Sequence, residues 1–158
     1  MPLSKIDSDS LNTAAVAQTN LATNVAGNGP AFGAYQSSAT ALTANAWTKI
    51  TFDTEEFDTN SNFASSRFTP TVAGYYQINA STYITSTGLM ATAFYKNGSL
   101  FKQGTQVNAS VQGIQTSSLL YMNGSTDYIE FYVYQTATQN TSTGQSLTWF
   151  SGYLARSA

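Results

Sequence analysis

Cysteine and histidine are both absent from the 158-residue chain. Without thiols there is no disulfide framework to infer a redox compartment from. Without thiolate or imidazole, most zinc chemistry and the commonest general base are excluded. Charge is scarce as well: Asp, Glu, Lys and Arg make up 9% of the residues, with a formal net charge of −2. The six basic residues are scattered and give no electrostatic footprint for nucleic acid. No apolar run reaches membrane-spanning length, so membrane insertion is not expected. The opening residues Met1, Pro2, Leu3, Ser4 and Lys5 lack the apolar stretch of a signal peptide, which predicts a protein that does not use the ordinary secretory route.

What is present is apolar and aromatic. Hydrophobic residues make up 42% and aromatic residues 13%, enough for one domain with a good core. Ser, Thr, Asn and Gln take the place of charge. Residues 126–135 alternate: Ile129, Phe131 and Val133 point one way, and Tyr128, Glu130, Tyr132 and Tyr134 the other. A period of two in β-branched and aromatic residues predicts a strand. Its second face is a row of tyrosines, half apolar and half hydrogen-bonding, which suits a surface that another chain covers. Tyr132 and Tyr134 are the leading candidates for a subunit interface, with Tyr128 at the rim. The same row could instead stack on sugars.

Further strands are expected at residues 32–39, 47–52, 75–85, 89–96, 100–107, 112–122 and 147–154, with a short one flanked by Phe63 and Phe68. Asn97-Gly98 is a strong hairpin dipeptide. Residues 53–58 read as an acidic loop and residues 136–145 as a polar one. Eight to ten short strands with frequent turns are the pattern of a sandwich or jelly roll. Residues 1–29 differ: they hold no aromatic residue, and Leu3, Ile6, Leu11, Val16 and Leu21 fit neither strand nor helix spacing. A short helix over 11–22, capped by Ser8 or Ser10, and an extended arm both remain open. The turn chemistry at residues 27–30 sets the boundary between the arm (1–29) and the β domain (30–158).

Candidate chemistry is thin. Asp53 and Asp58 are the best metal candidates, but a calcium loop of EF-hand type opening at Asp53 would place Ala64 where Glu belongs and lacks the central glycine. Paired carboxylates of the glycosidase kind are the main enzymatic option, and eight acids single out no pair. The expectation is no enzyme, no cofactor and no metal. The sequons at Asn79, Asn97, Asn108, Asn123 and Asn140 follow from the abundance of Asn, Ser and Thr.

From Pro30 to Leu154 the chain resembles the globular C1q/tumour-necrosis-factor-like domain. The pieces that carry the resemblance are Ala31-Phe32-Gly33-Ala34, Ile50-Thr51-Phe52-Asp53 before Asn60, Phe68-Thr69-Pro70 leading to Ala73-Gly74-Tyr75-Tyr76-Gln77-Ile78, Lys96-Asn97-Gly98, Leu120-Tyr121-Met122, Asp127-Tyr128-Ile129-Glu130-Phe131, and Trp149-Phe150-Ser151-Gly152-Tyr153-Leu154. Thr126 departs from the family, which usually has Gly before that Asp. The resemblance implies an all-β jelly-roll sandwich forming a homotrimer, with no active site and with binding through loops and outer faces. No Gly-x-y period precedes the domain, so a collagen stalk is absent. The arm is similar to N-terminal attachment segments of bacteriophage virion proteins with C1q-like heads. That implies a trimeric capsid decoration or cement protein, assembled in the host cytoplasm and held on the virion, its arm bound to the major capsid protein or another virion protein. Fully extended, the arm reaches about 100 Å. The alternative is a receptor-binding tip of a tail or head fibre that recognises host surface glycans through loops near Asn60, residues 103–112 and residues 136–145.

Overall fold

The computed structural model describes residues 21–158 except Thr23 and Ala26. Leu3, Ile6, Leu11 and Val16, and nearly all of the segment read as helix or arm, lie outside the described residues. The described residues hold eleven strands: β1 (Ala31–Tyr35), β2 (Ala41–Leu42), β3 (Ala46–Lys49), β4 (Thr54–Asp58), β5 (Phe63–Ala64), β6 (Arg67–Phe68), β7 (Ala73–Lys96), β8 (Ser99–Asn123), β9 (Ile129–Gln135), β10 (Gln139–Ser142) and β11 (Trp149–Ser157). All strand pairings are antiparallel.

The architecture turns on β7 and β8. A straight 24-residue strand would run to about 80 Å, longer than a domain of this size is wide. β7 therefore serves two layers. Its first half pairs with β11 over residues 74–81, and its second half pairs with β9 over residues 90–96. β8 follows it around the corner, paired along nearly its whole length. At the corner Thr85 and Ser86 drop out of register, and on the facing strand Val111 (φ 55°) does so. Such a bulge adds bend and twist without ending the ladder. The sequence suggests four strands here, 75–85, 89–96, 100–107 and 112–122, and the corner residues between them belong to the same ladder. There the chain bends within two continuous strands.

The first layer runs β4-β1-β11-β7-β8, and the second places β3 and β6 against β9, then β7 and β8. Phenylalanines fill the space between. Phe32 stacks on Phe63 at 4.9 Å and on Phe68 at 4.4 Å, and meets the edge of Phe150 at 4.9 Å. Phe150 also contacts Phe52, Phe63, Phe94 and Phe131. Ile129, Phe131 and Val133 are fully buried, as the alternation predicts. Tyr76 is buried with its hydroxyl donating to the Val72 carbonyl at 2.8 Å.

Two expected loops contain strands. Residues 54–58 form β4 on the edge beside β1, and residues 139–142 form β10 against β2 and β7. Their polar composition hid them. Thr126 requires no glycine: Asn123 Oδ1 accepts the backbone N–H of Ser125, Thr126 and Asp127 at 2.9–3.0 Å, and the positive φ of the turn falls on Gly124.

Phe150→Ala removes the ring common to five aromatic contacts. The expected loss is about 3–5 kcal/mol, read as a fall in the urea midpoint with an unchanged m value. A loss under about 1 kcal/mol would show that the layers do not depend on this stack.

Candidate functional site

The two layers present two outer faces of different character. On the first, Tyr76, Ile78 and Ala80 of β7 point inward, so Tyr75, Gln77 and Asn79 point out. Register places Tyr121 beside Tyr75, and Leu119 and Tyr153 beside Gln77. Ser117 and Ser151 flank Asn79, Trp149 pairs with Ser81, and Tyr35 pairs with Trp149. Phe57 of β4 lies across Gly33 so closely that a Cβ there would sit 2.7 Å from its ring. Phe57, Tyr75, Leu119, Tyr121 and Tyr153 are each 43–56% exposed. No Asp, Glu, Lys or Arg occurs in residues 31–35, 73–87, 112–123 or 149–155. This is an aromatic face five strands wide, uncharged across β1, β11 up to Ala155 and the paired parts of β7 and β8, with Glu55 and Glu56 on its β4 edge, where the Glu56 carboxylate lies beside Phe57 over Gly33. A groove of about 530 Å³ lined by Tyr75, Leu119 and residues 155–158 borders it.

On the second face, Tyr132 stacks on Tyr95 at 3.9 Å, and Trp47 packs against Tyr134 at 5.7 Å and Tyr95 at 6.1 Å. Below them Glu130, almost fully buried, accepts from Lys49 at 2.7 Å and from Arg67 at 2.9 Å. The Arg67 guanidinium covers the Tyr128 ring at 3.8 Å. Burial opposes ionisation of Glu130, but the hydrogen bonds and charges of Lys49 and Arg67 outweigh it and hold the carboxyl below its ordinary range. Burial, then the Glu130 charge, pushes the Tyr132 hydroxyl up. A groove of about 220 Å³ lies at the other end of this face, lined by Trp47, Leu89, Ala91, Gln103, Gln106 and Tyr134.

Tyr128, Tyr132 and Tyr134 thus share one face, as their alternation predicts. All three are half-buried, and their rings are already engaged by Arg67, Tyr95 and Trp47 within the chain. The more exposed aromatic surface is the first face. It is not legible in the sequence because its members come from five strands, and only the alternation of Tyr75 and Tyr83 with polar Gln77, Asn79 and Ser81 hints at it.

Leu21, the one arm candidate within the described residues, is half-buried, and its carbonyl accepts from Asn28 Nδ2 at 2.6 Å. Gly27, Asn28 and Gly29 lie in a groove with Thr59, Tyr153 and Leu154. A Cβ at Gly29 would meet Leu154 at 2.3 Å, so the chain reaches the domain pressed against β11, beside the first face. The turn at Asn60 sits at this same end, since Thr59 pairs with Ala31. Residues 136–145 and the β8 corner sit at the opposite end, near Ile84 and Gln36. Of the three loops offered for glycan recognition, residues 103–112 are strand within β8, and the Asn60 turn lies at the end opposite residues 136–145.

Asp53 and Asp58 bracket β4 and do not come together. The Ser37 N–H, bonded at 2.6 Å, holds the Asp53 carboxyl down at about 2. Asp58 accepts from Phe63 N at 2.7 Å. Among the described residues no group of three or more His, Cys, Asp or Glu could hold a metal ion, and no helix is long and apolar enough to cross a membrane.

No family model matches the chain, and no curated protein does. Solved structures do. The globular domain of zebrafish complement 1qA protein aligns at a TM-score of 0.65 and 14% identity, covering 82% of this chain and 99% of that one. Murine APRIL aligns at 0.65 and 9%, covering 79% and 98%. PRD1 vertex protein P5 aligns at 0.59 and 18%, covering 79% and 96%.

The Glu130 node makes stability depend on acid. Its folded carboxyl titrates below the ordinary 4.5, so as pH falls the unfolded chain takes the proton first. The contribution is full above about 4.5 and is lost as pH drops through the lower folded value. Urea midpoints measured from pH 7 to pH 3 should fall less steeply in Glu130→Gln, which starts from a lower midpoint at pH 7. Part of the slope remains through Asp127, whose carboxyl is also held low, Lys96 and Asn97 outweighing its burial. Equal slopes in both proteins would remove the node from the acid response.

Proposed function

From a chain that folds as a C1q/TNF-like jelly roll, we propose a non-enzymatic virion structural protein: a homotrimer that decorates or cements a tailed-bacteriophage capsid and is anchored by residues 1–29. One observation carries the reading, the exposed aromatic face on β4, β1, β11, β7 and β8. Exposed aromatic surface of this extent marks an interaction site. Four inter-strand steps of about 4.8 Å and eight to ten residues of about 3.4 Å give a flat area of roughly 500–600 Å², near the roughly 800 Å² per partner of a standard interface. Away from Glu55 and Glu56 on its β4 edge, the face carries no charge to repel another copy. The trimer contact is therefore assigned to Phe57, Tyr75, Leu119, Tyr121 and Tyr153, which leaves Tyr128, Tyr132 and Tyr134 facing outward on the other layer.

This assignment gives the arm a geometry. Residues 27–29 lie beside Tyr153, so three arms leave from one end of the trimer, and the loops at residues 136–145 crown the other. Three weak arm contacts held on one body add by avidity. The major capsid protein, or another virion protein, is the proposed arm partner. A vertex protein among the solved structures with this fold supports the virion setting. The second reading is a receptor-binding fibre tip, favoured by the groove at Trp47 and Tyr134, which faces away from the proposed contact.

Sedimentation of the full chain should give a trimer. The Leu119→Glu, Tyr153→Glu double variant should sediment as a monomer with an unchanged circular dichroism spectrum; a double variant that stays trimeric overturns the assigned face. Deleting residues 1–29 should leave the trimer and abolish its joining to particles. Quantitative mass spectrometry of intact particles should find hundreds of copies on the head. A few copies confined to the tail would favour the fibre tip, and normal incorporation of the truncated form would end the anchor reading.

A further inference from the structure

We propose that the groove between Trp47 and Gln106 is a binding site for one ring of a neutral glycan. Four strands build it at one level. Trp47 pairs with Tyr134, Tyr134 with Ala91, and Ala91 with Gln106. The floor is a methyl group between two rings on one side and two long amides on the other. A residue as small as Ala91 flanked by large neighbours is what opens a groove in an otherwise filled face.

The chemistry of the walls selects the ligand. No charged side chain lines the groove, so neither a phosphate nor a carboxylate is anchored there. The Trp47 and Tyr134 rings offer the negative faces of their π-systems. The C–H face of a pyranose, apolar and weakly positive, is complementary to them. Opposite, Gln103 Nε2 donates to Gln106 Oε1 at 2.6 Å. That bond orients both amides and leaves one carbonyl oxygen and one NH2 group facing the groove, an acceptor and a donor set for neighbouring hydroxyls. Among the described residues the Trp47 indole N–H and the Tyr134 hydroxyl have no hydrogen-bond partner, so two further polar tips are available to the ligand. About 220 Å³ accommodates a single sugar ring.

The rings are also prearranged. Trp47 is wedged between Tyr134 and Tyr95, and Tyr95 is stacked on Tyr132. Binding therefore orders little that is not already ordered. A one-ring site of this size is expected to be weak, roughly millimolar. Repetition on each protomer, and on many trimers, would raise it by avidity. The inference rests on the groove alone and holds whether the protein sits on a head or on a fibre.

Saturation-transfer NMR on the full-length protein tests it, with a panel of glucose, galactose, mannose, N-acetylglucosamine and their di- and trisaccharides, and with sialyllactose beside lactose. At least one neutral sugar should receive saturation on its ring C–H protons. Its Kd should rise tenfold or more in Trp47→Ala and several-fold in Gln103→Ala, Gln106→Ala. The two glutamines are exposed, so that variant keeps the fold if Trp47→Ala does not. Sialyllactose should bind no better than lactose. No binding across the panel, binding that survives the glutamine variant, or a clear preference for the acidic sugar overturns the proposal. Copy number and incorporation on particles are separate readouts that none of these outcomes changes.

Discussion

The β7–β8 ladder is the constraint from which the rest of the structure follows. Two strands of 24 and 25 residues stay hydrogen-bonded to each other while passing from one layer to the next. Once that corner is made, β11 and β9 have only one place each, on the free edges of the two halves of β7. β1 then extends the first layer, β3 and β6 extend the second, and the inward residues of both meet at the Phe32–Phe150 cluster. The bulges at Thr85, Ser86 and Val111 cost three ladder positions. They spare the domain a broken strand, which would expose a full row of backbone donors and acceptors at the corner.

Polar groups are used sparingly and placed where they close the structure. At the arm end Asp127 takes Lys96 at 2.8 Å, Asn97 at 2.8 Å and the Asn123 N–H at 3.0 Å, tying two turns together. At the other end buried Gln36 donates to Thr40 Oγ1 and the Thr51 carbonyl and accepts from Thr141, so one amide holds three segments. Glu130 performs the same service on the second layer with Lys49 and Arg67. Each carboxylate is matched by cations or N–H groups, as a buried acid requires. In the first layer, residues 31–35, 73–87, 112–123 and 149–155 carry no charge, and its acidic groups are confined to β4 at the edge.

The two outer faces divide the work. The first is broad, aromatic and exposed, which suits a flat contact with another copy. The second is aromatic but internally stacked, with one open groove, which suits a small ring-shaped ligand. Both contain tyrosines, and tyrosine content alone does not tell them apart. What separates them is exposure: the tyrosines of the second face are half-buried against neighbouring rings, whereas on the first face even Tyr75 and Tyr121, which meet edge to face at 5.6 Å, remain exposed.

Alternation in residues 129–134 and the turns at Asn97-Gly98 and Asn123-Gly124 were enough to establish an all-β sandwich. The inward set of Ile129, Phe131 and Val133 was legible because burial follows a period of two that any strand must obey. The aromatic row Tyr128, Tyr132 and Tyr134 was legible for the same reason. Its neighbours were not: Tyr95 and Trp47 lie 37 or more positions from the tyrosines they stack on, and pairing register is a tertiary property. β4 was unreadable because one-sided, solvated pairing leaves no apolar period, and β10 because its four residues, Gln139–Ser142, are all polar although it pairs with both β2 and β7. Local sequence decided which residues face in and which face out. Only the folded structure decided which outward residues share a face, because strands distant along the chain are brought together by the closing of the sheets.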